Sequence, residues 1–138
     1  MGALFRVIYC SRNAIAGQGI ETEIAQILAA SRCNNQRDGI TGALLVSPVG
    51  FAQVLEGPLP AVERTFERIQ CDPRHAQVDI LHAFEAEARC FAGWAMACAG
   101  RTGTAPHPAG KDGREVLALL RRLVKREEEW AGNWLSAV

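Results

Sequence analysis

Two polar side chains, Tyr9 and Gln53, lie in segments whose other residues are typical of buried β-strands. Because side chains alternate along a strand, Tyr9 shares a side with Val7, and Gln53 shares a side with Phe51. A glutamine in such a strand is expected to be buried, and a buried amide needs hydrogen-bond partners for both its oxygen and its NH2 group. The two side chains therefore either satisfy each other or the nearby backbone, as a structural contact, or bind a third group.

Two adjacent amides, Asn34 and Asn35, could serve the same third group. A flat conjugated heterocycle between two helices would offer carbonyl and ring-nitrogen acceptors to Gln53, and the two asparagines could hold its edge. Their structural alternative is a helix C-cap. The residues alone leave both possibilities open.

The hydrophobic pattern predicts the elements that would position these side chains. Strands are expected over residues 4–9, 40–46, 51–56, 78–83 and 91–98, and the second and third form a hairpin around the turn at 47–50. Apolar residues at helical spacing predict one helix from Ile20 until Asn34, Asn35 and Gly39 end the pattern, and another ending at residues 71–73. A last helix opens with a capping box at residues 112–115, after a glycine-rich linker or lid at 100–113.

The predicted order, βαββαββ and then α, favours a ferredoxin-like α+β fold. Both central helices would lie on one face of a five-stranded mixed sheet. Residues 1–100 would form the domain, and residues 101–138 a linker and an amphipathic C-terminal helix. That helix or a second subunit would cover the other face of the sheet. Trp130 and Trp134 share a helical face, so they could pack on the sheet or form a partner or homodimer contact.

Composition excludes several classes of protein. The 138 residues carry 15 basic and 15 acidic side chains, so the positive charge that nucleic-acid binding needs is missing. The sequence shows no apolar run long enough to span a bilayer and no leader-like start, which predicts a cytoplasmic protein without a membrane partner. The five cysteines form no C-x-x-C pair, so we expect neither a disulfide framework nor a metal site.

Several short segments follow one another along the chain. They are residues 9–11 (YCS), 31–35 (SRCNN), 39–42 (GITG), 51–57 (FAQVLEG) and 94–96 (WAM), with Arg68, Ile69, Asp72, Arg74 and His75 between them. Taken together, these segments resemble the BLUF family of blue-light sensors using FAD. The resemblance covers residues 3 to about 98. It leaves the C-terminal forty residues outside.

The resemblance implies a division of roles in a photoswitch. Tyr9 would donate an electron and a proton under light, and Gln53 would bridge it to the flavin N5 and C4 carbonyl. Trp94 and Met96 would belong to the same switch, on one face of the fifth strand. Which of these two lies nearer Gln53 is left open.

The remaining implied residues would hold the cofactor, which is FAD, with FMN and riboflavin as possible substitutes. Asn34 and Asn35 would bind the polar edge of the ring, Ile27 and Ile69 would sandwich it, and Arg68 with Asp72 would anchor its outer polar side or a phosphate. Ile27 and Ile69 do lie on the apolar stripes of their helices, as an apolar pocket requires. Taken alone, the i,i+4 spacing of Arg68 and Asp72 predicts a solvated ion pair.

The implied function is a light sensor and not an enzyme, acting on an unidentified downstream protein and forming a homodimer. Ala95 stands where this family often has a serine, which removes one hydroxyl beside the switch. The alternative functions are those of a small acylphosphatase-like hydrolase and of a cofactor-free ferredoxin-like interaction module. The hydrolase would need an anion-cradling loop, and residues 17–19 are a weak candidate for it.

Overall fold

The strands and helices follow the predicted order. The computed structural model describes residues 3–13, 20–47, 50–73, 75–99 and 112–136, with the backbone alone at residues 13, 20, 21, 75, 99 and 126–136. Over these residues the elements are β1 (Leu4–Asn13), α1 (Ile20–Asp38), β2 (Thr41–Val46), β3 (Gly50–Pro58), α2 (Leu59–Cys71), β4 (His75–Ala86), β5 (Ala97–Ala99) and α3 (Gly113–Ser136).

The sheet has the strand order β4-β1-β3-β2-β5. Neighbouring strands in the sheet pair antiparallel, except β2 and β5, which are parallel. β3 is central and is buried along its length up to Gly57, because both faces of the sheet are covered. The predicted ferredoxin-like α+β fold with a five-stranded mixed sheet is therefore confirmed.

Strand alternation divides the core into two layers. On one face, α1 and α2 cover β1, β2 and β3 with a cluster that includes Val7, Tyr9, Ile24, Ile27, Leu28, Leu44, Phe51, Leu55, Ala61 and Val62. On the other face, α3 supplies Val116, Leu120 and Val124, which pack against Ile8, Ala43, Leu45 and Val54. The sheet is thus covered on its second face by a helix of the same chain, one of the two predicted covers. The side chains of Trp130 and Trp134 lie outside the described residues, as do most of the predicted linker residues 100–113.

The end of α1 lies further along the chain than the asparagine pair suggests. Gly39 follows the helix with φ +73°, and the Ile40 N–H donates to the Asn35 carbonyl at 2.9 Å. This is the Schellman arrangement, in which glycine takes the left-handed position that other residues resist. Asn34 and Asn35 therefore lie inside the last turn, and the interpretation of either as the C-cap is wrong.

The fifth strand is shorter than predicted, Ala97–Ala99 instead of residues 91–98. The chain turns before it, with Gly93 at φ +88° and the Trp94 N–H bonded to the Phe91 carbonyl at 3.0 Å. Conversely, β4 is longer than predicted because it pairs with β1 over almost the whole length of that strand.

The predicted N-terminus of α3 is confirmed, since Asp112 Oδ1 accepts a hydrogen bond from the Glu115 N–H at 2.9 Å. None of the described helices combines the length and the apolar character needed to cross a bilayer.

Candidate functional site

Tyr9 and Gln53 face each other across the centre of the sheet. They are paired in the register of β1 and β3, and the Tyr9 hydroxyl donates a hydrogen bond to Gln53 Oε1. Tyr9 is completely buried and Gln53 is 3% exposed, as the strand pattern predicts. Burial raises the pKa of Tyr9 well above its ordinary value, and the negative charge of Asp72 raises it further. The phenol is therefore neutral and acts as a donor.

The other end of the Gln53 amide contacts a sulfur atom. Gln53 Nε2 donates to Met96 Sδ at 3.4 Å. A thioether is a weak acceptor, and Nε2 carries two N–H donors. The amide is thus oriented at both ends but retains donor capacity for a stronger acceptor.

A cavity of about 200 Å³ lies next to this amide, between α1, α2 and the sheet. It is lined by Ile27, Ala30, Ser31, Asn34, Asn35, Gln53, Leu55, Thr65, Arg68, Ile69, Asp72 and Met96. Every residue predicted to bind the cofactor is among them. The walls combine aliphatic carbon from both helices with a few polar groups, which is the composition of a small-molecule site.

The amides of α1 serve two different purposes. Asn34 is half-buried at the cavity wall. Asn35 is buried and donates from Nδ2 to the Ala95 carbonyl at 2.7 Å. Arg32 Nε donates to the next carbonyl, that of Met96, at 3.1 Å. Asn35 therefore joins the cavity to the segment that carries Met96, a contact that the sequence did not indicate.

Trp94 and Met96 do not share a face, so that expectation is wrong. Met96 packs in the cluster under α1 and α2, whereas Trp94 packs at the edge of the cluster under α3. The reason is that both residues precede β5 in a turn, where strand alternation does not hold. Met96, in contact with Gln53, is the nearer of the two to the cavity.

The ion pair that the structure gives Arg68 is with Asp38, at 3.1 Å, and not the local pair expected from spacing. Asp38 also accepts a hydrogen bond from Arg37 Nε, and the Arg37 and Arg68 hydrogen bonds lower the pKa of Asp38 to about 2. Arg68 and Asp72 both line the cavity. They also line a shallow surface depression with Glu23, Cys71 and Pro73.

Sequence reasoning missed Glu56, which anchors the β4–β5 connection (residues 87–96). This carboxylate is completely buried and accepts the N–H groups of Cys90 at 3.0 Å and Phe91 at 2.6 Å. It also accepts from Arg6 Nε and from Thr41 Oγ1, each at 3.2 Å. The available signal was that Glu56 is the one charged residue of β3.

Sequence reasoning also missed Thr65. Its side chain is 7% exposed, and its hydroxyl oxygen has no hydrogen-bond partner. Thr65 lies between Val62 and Ile69 on the apolar stripe of α2, where a hydroxyl is unexpected.

The residues present fit a flavin. A planar heterocycle bearing carbonyls and ring nitrogens would give acceptors to Gln53 Nε2 and to the unpartnered Thr65 hydroxyl, and Ile27 and Ile69 would contact its faces. The fold and the cavity thus define a ferredoxin-like domain built to hold such a ring beside a tyrosine–glutamine pair.

Comparison with known proteins identifies the family. The family model described as "Sensors of blue-light using FAD", BLUF, matches residues 4–97, and the chain belongs to this family. It is a flavin-based blue-light sensor module.

Solved structures show the same fold. The dark-state structure of the BLUF protein BlrB has a TM-score of 0.74 at 31% identity, covering 92% of this chain and 98% of that one. BlsA in its photo-activated state has a TM-score of 0.77 at 25% identity, covering 88% and 94%.

A curated relative, the photoactivated adenylate cyclase subunit beta of Euglena gracilis, is 27% identical over 108 residues. These are 78% of this chain but 13% of the relative. The chain therefore spans only a small part of that protein.

Proposed function

We propose that the domain senses blue light by rearranging the hydrogen bonds of Tyr9 and Gln53 beside a bound flavin. The observation that carries the proposal is the buried Tyr9–Gln53 hydrogen bond at the wall of a cavity that suits a planar ring. A bound oxidised flavin would supply the absorption of blue light and an excited state that takes up an electron from a nearby donor. The electron donor and the amide that stores the signal are residues of the chain, Tyr9 and Gln53.

Tyr9, the one tyrosine of the chain, is the proposed electron donor. Its raised pKa keeps the proton on the phenol in the dark. A phenol that gives up an electron also releases its proton, and Gln53 Oε1 accepts the hydroxyl's hydrogen bond. The return of the electron and the proton restores Tyr9, so no substrate is consumed.

Gln53 then stores the signal by rotation or tautomerisation of its amide. We assign the orientation in the structure, in which Nε2 donates to Met96 Sδ, to the dark state; a rotated amide would turn its oxygen toward that sulfur and lose the contact. Met96 therefore stabilises the dark orientation. Because only hydrogen bonds change, the stored free energy is a few kcal/mol, about the size of one to three such bonds, and the change reverses in the dark.

FAD is the flavin we propose for the cell, in line with the description of the family. The structure of Klebsiella pneumoniae BlrP1 with FMN and cyclic diGMP supports FMN as a substitute. Riboflavin would serve too, because the cavity contacts the ring, while Arg68 and Asp72 at its outer end would contact the polar tail.

We further propose that the module is not itself an enzyme and signals to a separate protein as a cytoplasmic homodimer. The β4–β5 connection contacts both the cavity and the core beneath α3, so it can pass the rearrangement to the far face of the sheet. Light scattering of the purified protein, in darkness and under blue light, tests the dimer.

The experiment for the switch compares absorption spectra of the flavin-loaded wild type with those of Gln53→Leu. The wild type is expected to be yellow and to undergo a small red shift under blue light that decays in darkness. Gln53→Leu should keep the flavin and lose the shift. The matched control is Gln70→Leu, at an exposed position of α2, which should behave as the wild type. A wild-type protein that stays colourless after addition of FAD contradicts the proposal.

A further inference from the structure

The hydroxyl of Thr65 is the one buried side-chain nitrogen or oxygen without a hydrogen-bond partner among the side chains that the structure describes. It lies on α2, one turn before Ile69, and the residue lines the cavity. A threonine in a helix can donate to a carbonyl of the preceding turn, and many do. Thr65 does not.

An unpartnered hydroxyl in this position is costly to the protein without a ligand. The large majority of buried side-chain polar atoms have a hydrogen-bond partner, because their desolvation is otherwise uncompensated. Valine has nearly the same shape and would fill the stripe between Val62 and Ile69 without that cost. A cavity occupant with a suitable acceptor would supply the missing partner.

We propose that Thr65 is a flavin-binding residue whose hydroxyl donates a hydrogen bond to an oxygen or nitrogen acceptor of the bound flavin. The inference rests on the proposed function, since the flavin is the occupant. It adds a polar contact from α2 to those expected from Asn34, Asn35 and Gln53. The acceptor belongs either to the ring or to the sugar-alcohol chain attached to it.

The test compares Thr65→Val with Thr65→Ser, which keeps the hydroxyl and loses the methyl group. Flavin affinity is measured by fluorescence quenching with riboflavin and with lumiflavin, which has the ring alone. Thr65→Val should weaken riboflavin binding about five- to tenfold, the loss of one hydrogen bond, while Thr65→Ser stays within about twofold of the wild type. Loss with both flavins locates the acceptor on the ring, and loss with riboflavin alone locates it on the chain.

Thermal unfolding of the flavin-free proteins is the second measurement. Thr65→Val should unfold at a temperature no lower than that of the wild type, because the substitution removes an uncompensated buried hydroxyl. This readout separates a ligand contact from a role in packing.

Either of two results overturns this inference but not the proposed function. In the first, Thr65→Val binds riboflavin as tightly as the wild type does. In the second, the flavin-free form of Thr65→Val is less stable than that of the wild type. In both cases the wild type would still bind flavin and shift under light. A wild type that binds no flavin overturns the inference and the proposed function together.

Discussion

Replacing Glu56 by glutamine changes one oxygen of a buried carboxylate into an NH2 group. All four groups that contact this carboxylate are donors: Oε1 accepts from Thr41 Oγ1 and the Phe91 N–H, and Oε2 accepts from Arg6 Nε and the Cys90 N–H. Whichever way the new amide turns, its NH2 group faces a backbone N–H. The substitution therefore keeps the shape of the side chain, removes its charge and breaks at least one bond to a backbone N–H; the Thr41 hydroxyl can turn and accept from an NH2 group.

The expected loss follows from the number of contacts broken. Hydrogen bonds to a charged group each contribute about 1.5–3 kcal/mol; one or two of them are lost, and the rest no longer have a charged acceptor. Arg6 loses its charged partner but stays partly exposed and keeps a 2.7 Å hydrogen bond to the Ala88 carbonyl. Its contribution to the loss of stability is therefore limited. We expect Glu56→Gln to lower the free energy of unfolding by about 3–5 kcal/mol, a large part of the stability of a small domain.

Urea unfolding followed by far-ultraviolet circular dichroism measures this loss. Glu63→Gln, at an exposed position of α2, is the control and should stay within about 0.5 kcal/mol of the wild type. Amide hydrogen exchange should also speed up at Cys90 and Phe91 in the Glu56 variant. A loss of less than about 1 kcal/mol, with unchanged exchange, would refute the view that Glu56 anchors the β4–β5 connection.

Three further predictions follow from the ion pair, the helix end and the turn before β5. The lowered pKa of Asp38 means that its ionised form stabilises the fold at neutral pH, and that this contribution is lost as the pH falls from about 4 toward about 2. Asp38→Asn should therefore flatten the fall of the unfolding temperature over that range, and an unchanged slope argues against the pairs of Asp38 with Arg37 and Arg68. Gly39→Ala should cost about 1–2 kcal/mol in urea unfolding because of the left-handed φ, and a neutral effect would contradict the Schellman end. Trp94→Ala should leave the affinity for riboflavin within about twofold of the wild type. Met96→Ala, by contrast, should change the rate of dark recovery. If both variants changed the recovery rate equally, that would contradict the placement of the two residues on opposite faces of the sheet.

The sheet and the centre of the site were predictable because they depend on periodic patterns. Alternation in β1 and β3 puts Tyr9 and Gln53 on one face, and the ferredoxin-like strand order, in which β1 lies beside β3, makes them neighbours. Ile27 and Ile69 follow in the same way from the apolar stripes of α1 and α2. Such patterns indicate which side of an element faces the core, and the ferredoxin-like order then brings those sides together.

What the sequence could not predict depends on contacts without a periodic signal. Arg68 pairs with Asp38 of the other helix, thirty residues earlier in the chain, so local spacing favoured the wrong partner. The turn at Gly93 interrupts the strand pattern and sends Trp94 and Met96 to opposite faces. The donors around Glu56 come from β1, β2 and the β4–β5 connection, and no local motif marks them.

The light-minus-dark absorption spectrum of flavin-loaded Tyr9→Phe, recorded beside the wild type, tests the photoswitch most directly. Phenylalanine removes the hydroxyl that donates to Gln53 and keeps the ring that packs edge-on against Phe66, with 5.5 Å between ring centroids, so the variant should fold and hold the flavin. A reversible red shift is expected in the wild type and none in Tyr9→Phe. A Tyr9→Phe protein that shows the same reversible shift would contradict the role of the Tyr9–Gln53 pair as the switch.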